Sequence, residues 1–232
     1  MTSSVILIPA RYNSTRLPGK PLAMLDGVPM IKRVYDACVA SKIPTYVLTD
    51  DMRIFNLFGP RQCWIDQEKE YANGTERCAG AITDSNFIKY LGHYDNIINV
   101  QGDMPDITTY MIQQTEWHLK HYPVTTMFTE MPPCMQQDPN TVKMVKAGDQ
   151  ALWFGRGMTG YGDWHLGVYG YRRHALEMYT NLPVDREEEV EKLEQLRWLK
   201  NGWQIGCLSV QYNGTEINSP EDIETWHNKN SQ

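Results

Sequence analysis

The chain has 232 residues, with 22 lysines and arginines against 28 aspartates and glutamates and a formal net charge of −6 at pH 7. That length suits one sizeable α/β domain with a smaller appended lobe, and the acidic balance argues against a general nucleic-acid binder, which carries a basic face. No apolar run approaches the ~20 residues of a membrane span, and the short run in "MTSSVILIPAR" precedes its positive charge, which is the wrong order for a signal peptide.

The first half alternates. "SVILIP" reads as a buried strand and "MIKRVYDACVASK", Met30 to Lys42, as an amphipathic helix. "TYVLTD" is a second strand, and "ERCAGAITDSNFIKYL" (76–91) is read as one helix. "NIINVQGD" is a third strand, "TTYMIQQTEWHLKHY" a helix, and "VTTMFTEM" a further strand. Strand and helix in turn, joined by short connections, predict parallel βαβ units.

The second half differs. "NTVKMV" and "ALWFG" flank the turn-like "KAGDQ" and predict a hairpin. "HLGVYGYR" is read as a strand with His165, Val168 and Gly170 on one side and Gly167, Tyr169 and Tyr171 on the other. "REEEVEKLEQLRWLKNG" is read as one helix capped by Gly202, and "WQIGCLSVQY" as a returning strand. "NSPEDIETW" starts a helix, with Ser219 as N-cap, Pro220 in the first helical position and Asp222 two residues further on. The lobes change near Tyr122 to Thr141. The expected organisation is therefore one domain, with a first half (1–122), a second lobe (123–210) and a C-terminal return (211–232).

Ligands of α/β sheets sit beyond the carboxyl ends of the strands. "IPARYNSTRLPGKPL" and "VQGDMP" both fall there. The first clusters Arg11, Arg16 and Lys20, a pattern suited to an anion, although GxxxxGK[ST] and GxGxxG are both absent. In the second, Asp103 at a strand end is a natural Mg²⁺ ligand. "ANGTERC" opens a helix near Thr75 whose N-terminus could face an anion. Taken singly, each piece also has an ordinary structural reading: a solvated loop, a turn aspartate, a plain N-cap, a core histidine. The five scattered cysteines form no CxxC pair and fit reduced thiols in a cytoplasm.

Taken together, the ordered blocks "PARYNSTRLPGKPL", "TDD", "NGTERC", "NVQGDMP", "DPNTVKMV", "FGR", "HLGVYGYR", "LEQLR" and "SPEDIE" resemble the 3-deoxy-D-manno-octulosonate (Kdo) cytidylyltransferase family from Val5 to about Trp226. The resemblance implies a Rossmann-like nucleotidyltransferase fold, mostly parallel, in which 1–122 is the nucleotide-binding half, 123–210 the sugar-binding and dimer lobe and 211–232 the return to the core. It also implies a reaction in which the anomeric hydroxyl of Kdo, or a close analogue such as an 8-amino sugar, attacks the α-phosphate of CTP with Mg²⁺ present. Arg11, Lys20 and Asp103 would be catalytic. Pro9, Ala10, Thr49, Asp50, Asn73, Gly74, Thr75, Arg77, Gln101 and Gly102 would join Arg11 and Lys20 around the nucleotide. Arg156, His165, Tyr169, Glu194 and Gln195 would hold the sugar acid, and Asp103 and Asn218 the metal. A cytoplasmic homodimer is implied as well.

The chain departs from the family pattern at three places. Met104 stands where "QGDEP" has an acid, Asn218 where "DTPEDL" has a metal-binding aspartate, and "FNLFGPRQCW" is unusual. Asn keeps an oxygen for a hard cation but loses a charge, so a weakened Mg²⁺ site is expected unless Asp222 or Glu216 substitutes. Two other readings fit the same residues: a nucleotidyltransferase for another sugar acid, and a homologue that binds nucleotide without turnover.

Overall fold

The computed structural model describes residues 3–14 and 16–231. In chain order the N-terminal half contains β1 (Ser4–Ala10), the short ribbon β2 (Met24–Leu25) and β3 (Val28–Pro29), α1 (Met30–Val39), β4 (Thr45–Thr49), α2 (Met52–Phe58), β5 (Cys63–Ile65), α3 (Gly74–Thr83), α4 (Ile88–Leu91), β6 (Asn96–Val100) and α5 (Thr109–His118). The rest contains β7 (Val124–Thr129), β8 (Lys143–Ala147), β9 (Gln150–Gly155), β10 (Asp163–Arg172), α6 (Arg173–Tyr179), α7 (Arg186–Glu191), α8 (Leu196–Lys200), β11 (Ile205–Ser209) and α9 (Pro220–Asn230).

The main strands form a nine-stranded sheet in the order β5-β4-β1-β6-β10-β7-β11-β9-β8. Strands β5, β4, β1, β6, β7, β11 and β8 run in one direction, and only β10 and β9 oppose them. The mostly parallel Rossmann-like sheet is thus present. The two lobes are continuous in it, because β10 lies between β6 of the first half and β7 of the second.

Side-chain alternation sets the two faces of this sheet. Val5 and Leu7 of β1 enter a core with Cys78, Leu176 and Trp198 from α3, α6 and α8. Ile6 and Ile8 enter the opposite core, with Ile31 and Val34 of α1 and Ile112 of α5. Burial on both faces explains why "VILI" reads as a continuous apolar run. A third cluster, Leu25, Met30, Ile217 and Trp226, docks α9 beside the first loop.

Two expected helices are broken. The 76–91 segment divides at Asp84, whose ψ of 125° leaves the helical region and whose carboxylate accepts the N–H groups of Asn86 and Phe87. The 186–202 segment divides at Lys192, which adopts the left-handed conformation (φ 54°). Gly202 does follow α8 with a positive φ of 79°. At α9 the expected cap is complete: Ser219 and Asp222 form a reciprocal capping box ahead of Pro220.

Candidate active site

The carboxyl ends of β1 and β6 lie side by side where chain connections diverge to either side of the sheet, the crevice in which open α/β sheets bind ligands. Three segments converge there. A Cβ on Gly74 would come within 3.0 Å of Pro9 Cγ, and one on Gly102 within 3.1 Å of the Pro9 carbonyl oxygen. These two glycines let the start of α3 and the loop after β6 close onto the end of β1. Asn73 caps α3 by accepting the Glu76 N–H at 2.8 Å.

Two adjoining cavities open on this junction. The larger, about 490 Å³, is lined by Pro9, Ala10, Arg11, Lys20, Asn73, Gly74, Arg77, Gln101 and Gly102. The smaller, about 190 Å³, is lined by Arg156, His165, Tyr169, Glu194, Gln195 and Glu216. Arg16, Gln101, Asp103, Lys192, Glu194 and Asn218 line both and mark where the two meet.

At that seam Lys20 Nζ donates to Asp103 Oδ2 at 2.6 Å and to Asn218 Oδ1 at 3.1 Å. Arg16 donates to Asn218 Oδ1 at 3.2 Å and to Asn140 Oδ1 at 3.3 Å. Arg11 is exposed and makes no hydrogen bond to a described residue. Asp103 is placed against residue 218 by backbone, since Ile217 N–H donates to the Asp103 carbonyl at 3.0 Å. Asp106 reinforces this by accepting Thr215 N–H at 2.9 Å and Trp226 Nε1–H at 2.8 Å.

Thr49, Asp50 and Thr75 line neither cavity. Thr49 donates to the Ala10 carbonyl at 2.8 Å, and Asp50 accepts Tyr12 N–H at 3.1 Å and Arg77 Nη2–H at 2.8 Å, so both brace the loop after β1. Thr75 belongs to a relay of hydroxyls. Asn99 Nδ2 donates to Tyr171 OH at 3.3 Å, Tyr171 meets Thr75 Oγ1 at 2.9 Å, and Thr75 donates to Glu194 at 2.5 Å. Burial raises the Glu194 carboxyl above the usual range, and the Thr75 hydroxyl and N–H bonds pull it partly back.

His165 and Tyr169 share the smaller cavity with Gly167, and do not lie on opposite sides as expected. Strict alternation is the reason: it puts residues 165, 167 and 169 on one face, opposite Leu166 and Val168, and the shift in pairing with β7 between Leu166 and Tyr169 is a two-residue bulge that preserves it. Thr126 fills it, with its hydroxyl 2.9 Å from both the Val168 carbonyl and His165 Nε2. The hydroxyl has one proton, given to the carbonyl, so it receives the Nε2–H of His165 and leaves Nδ1 as an acceptor. Burial, then the nearby Arg156, push the His165 pKa down to about 3, so the ring is neutral. Gln195 is buried, and its Nε2 has no partner among the described residues, an unspent donor in the cavity wall. Glu216 accepts the Gly167 N–H; burial and then Asp103 push its carboxyl up to about 7.

Met104 is fully buried in the second core and lines neither cavity, so the loss of an acid there leaves the cavity walls unaltered. Asp222 is spent on α9, where it accepts the N–H groups of Asn218 and Ser219 at 2.8 Å each. Of the two acids able to substitute at residue 218, only Glu216 faces the cavity. Sequence reasoning missed Lys192 because "EVEKLEQL" carries no helix breaker. It left Arg16 without a role, although that residue stands in the same cationic loop as Arg11 and Lys20.

The cytidylyltransferase family profile matches residues 5–205. The chain belongs to the cytidylyltransferase family. An 8-amino-3,8-dideoxy-manno-octulosonate cytidylyltransferase from Shewanella halifaxensis is 39% identical over 237 residues, covering 94% of each chain. A solved CMP:2-keto-3-deoxy-manno-octonic acid synthetase complexed with CTP superposes with a TM-score of 0.87 at 31% identity, covering 100% of this chain and 99% of that one. A proposed glucose-1-phosphate thymidylyltransferase from Bacillus anthracis shares the fold alone, with a TM-score of 0.74 at 12% identity over 98% and 95% of the two chains. In this cytidylyltransferase no helix among the described residues is long and apolar enough to cross a membrane.

Proposed function

We propose that the chain transfers a cytidylyl group from CTP to the anomeric hydroxyl of a 3-deoxy-ulosonic acid, Kdo or its 8-amino analogue, with release of pyrophosphate. The observation that carries this reading is the pair of cavities meeting at Asp103. The larger has Arg11, Lys20 and the start of α3 on its walls and takes the nucleotide; the smaller has Arg156, His165, Tyr169 and Gln195 and takes the sugar acid. Reacting groups held in one geometry gain most of the acceleration available to such a transfer. Lys20 and Arg11 offset charge that builds on the transferred phosphate. Arg156, with a guanidinium matched to a carboxylate, binds the acid. His165 Nδ1 accepts from a sugar hydroxyl, and Gln195 Nε2 donates to one. Glu194, tied to Thr75, fixes the wall between nucleotide and sugar.

The donor set at the seam fits Mg²⁺. It offers the Asp103 carboxylate, the Asn218 amide oxygen and the Glu216 carboxylate, and the Lys20 ammonium already rests between Asp103 and Asn218. These residues would hold Mg²⁺, which supplies charge neutralisation on the triphosphate. Buried cysteine thiols, four of the five, together with a nucleotide substrate fit a cytoplasmic enzyme. Family resemblance supports a homodimer, to be checked by sedimentation.

The test is pyrophosphate release with CTP, Mg²⁺ and either Kdo or 8-amino-Kdo, with the acid omitted as control. Acid-dependent release is expected. No release with either acid, from folded protein that binds CTP, would favour a different sugar acid.

A further inference from the structure

Lys143 opens β8, and its side chain is fully buried. A buried ammonium carries a desolvation cost of several kcal/mol, so its contacts are informative. They are two carbonyl oxygens: Nζ donates to Asp138 O and, at 3.1 Å, to Arg156 O. The start of β10 closes over the stem, since a Cβ on Gly162 would lie 3.0 Å from Lys143 Cβ. A methionine would fill this space without the charge. What the charge adds is the link between those two carbonyls.

Both carbonyls belong to segments bordering the smaller cavity. The Asp138 carboxylate organises its turn by accepting the Asn140 N–H at 2.8 Å and the Thr141 hydroxyl at 2.9 Å. The Asn140 carbonyl then receives Arg156 Nη1–H at 2.5 Å. From the other side the Glu191 carbonyl receives Arg156 Nε–H at 3.2 Å, and its carboxylate the Arg156 N–H at 2.6 Å. The guanidinium is thereby held through Nε and Nη1, while Nη2 makes no hydrogen bond to a described residue and remains for a ligand. Lys143 joins the backbone that carries Arg156 to the turn that carries its acceptor.

We propose that Lys143 is a positioning residue for the acid substrate: its ammonium clamps the Asp138 and Arg156 carbonyls and so aims Arg156 at the substrate carboxylate. This rests on the sugar-acid reading above. The clamp acts on one substrate only, because neither carbonyl belongs to a residue lining the nucleotide cavity.

The test compares Lys143→Met and Asp138→Ala with wild type in pyrophosphate release, titrating Kdo and CTP separately and recording thermal midpoints. Lys143→Met should raise the KM for Kdo by about tenfold or more and leave the KM for CTP unchanged. Asp138→Ala, which loosens the same turn from its half-buried carboxylate, should shift the Kdo KM in the same direction by less. A residue that merely supports the fold would raise both KM values together, and that result, or an unchanged Kdo KM in both variants, overturns the clamp. Should Lys143→Met fail to fold, Asp138→Ala decides alone. Wild type without acid-dependent release overturns the sugar-acid reading, and the clamp with it; active wild type with unaffected variants overturns the clamp only.

Discussion

Lys20 Nζ stands 2.6 Å from the Asp103 carboxylate and 3.1 Å from the Asn218 amide oxygen, so an internal ammonium occupies the seam between the two cavities. With Mg²⁺ bound as proposed, Lys20 and the cation would compete for one carboxylate before nucleotide arrives, and the triphosphate would relieve the competition by drawing Lys20 away. Lys20→Ala should therefore bind Mn²⁺ more tightly than wild type without CTP, by about tenfold for a difference of ~1.4 kcal/mol. Its turnover should fall by about a hundredfold or more. Electron paramagnetic resonance titration of Mn²⁺ reads the first effect, and equal affinities would refute it.

Residue 218 gives a second prediction. Asn218→Asp restores a charge beside Asp103, and a net gain of ~1.4 kcal/mol would lower the Mg²⁺ midpoint about tenfold. Glu216→Gln should raise that midpoint, whereas Asp222→Asn should affect α9 stability and leave the midpoint alone. Mg²⁺ titrations of pyrophosphate release check all three. A midpoint insensitive to Glu216→Gln would exclude that carboxylate from metal binding.

His165 predicts a pH dependence of stability. Its pKa falls from 6.5 to about 3 on folding, so between those values the unfolded chain binds the extra proton. Stability then rises with pH, and the contribution is lost as pH falls below 6.5, at up to ~1.4 kcal/mol per unit. Glu216, raised from 4.5 to about 7, acts with the opposite sign between those values and masks part of the slope. Comparing wild type with His165→Phe isolates the histidine. The thermal midpoint of wild type relative to the variant should drop on acidification from pH 7 to pH 4, and parallel profiles would count against a buried neutral ring.

Arg197 supports the site from behind. It bonds Glu188 at 2.6 Å and Glu76 at 3.1 Å while lying 4.2 Å from the Tyr179 ring centroid, and both Arg197 and Glu188 are buried. Arg197→Met should cost about 3–5 kcal/mol by leaving Glu188 buried without a partner. Adding Glu188→Gln should return much of that loss. Urea denaturation of both variants measures it.

Much of this was legible in the chain. The apolar runs of β1, β4 and β6, the spacing of α1 and α5 and the SPED cap of α9 each have a local cause that the sequence displays. The break at Lys192 does not, because it sits in a segment of good helical composition and is set by tertiary demands, whereas the one at Asp84 has a local cause in Asp84-Ser85-Asn86 that the reading of 76–91 as one helix passes over. At Lys192 the break turns Leu193, Glu194 and Gln195 toward the smaller cavity. The shared face of His165 and Tyr169 follows from plain alternation along β10, whereas the Thr126 hydroxyl that bonds the bulge there comes from another strand, and no reading of β10 alone reveals it. The sequence expectation counts Asp222 and Glu216 alike as substitutes at the metal site, although the SPED cap already marks Asp222 as a capping residue.

The placement of β10 bears on how the molecule comes apart. A strand from the second half hydrogen-bonds along one edge to β6 and along the other to β7. Withdrawing it strips partners from both halves at once, so neither lobe can melt while the other stays native. Chemical denaturation followed by tryptophan fluorescence and by circular dichroism should trace one coincident transition. Mobility around the cavities is then left to the loops, and the sheet beneath them moves as a single body.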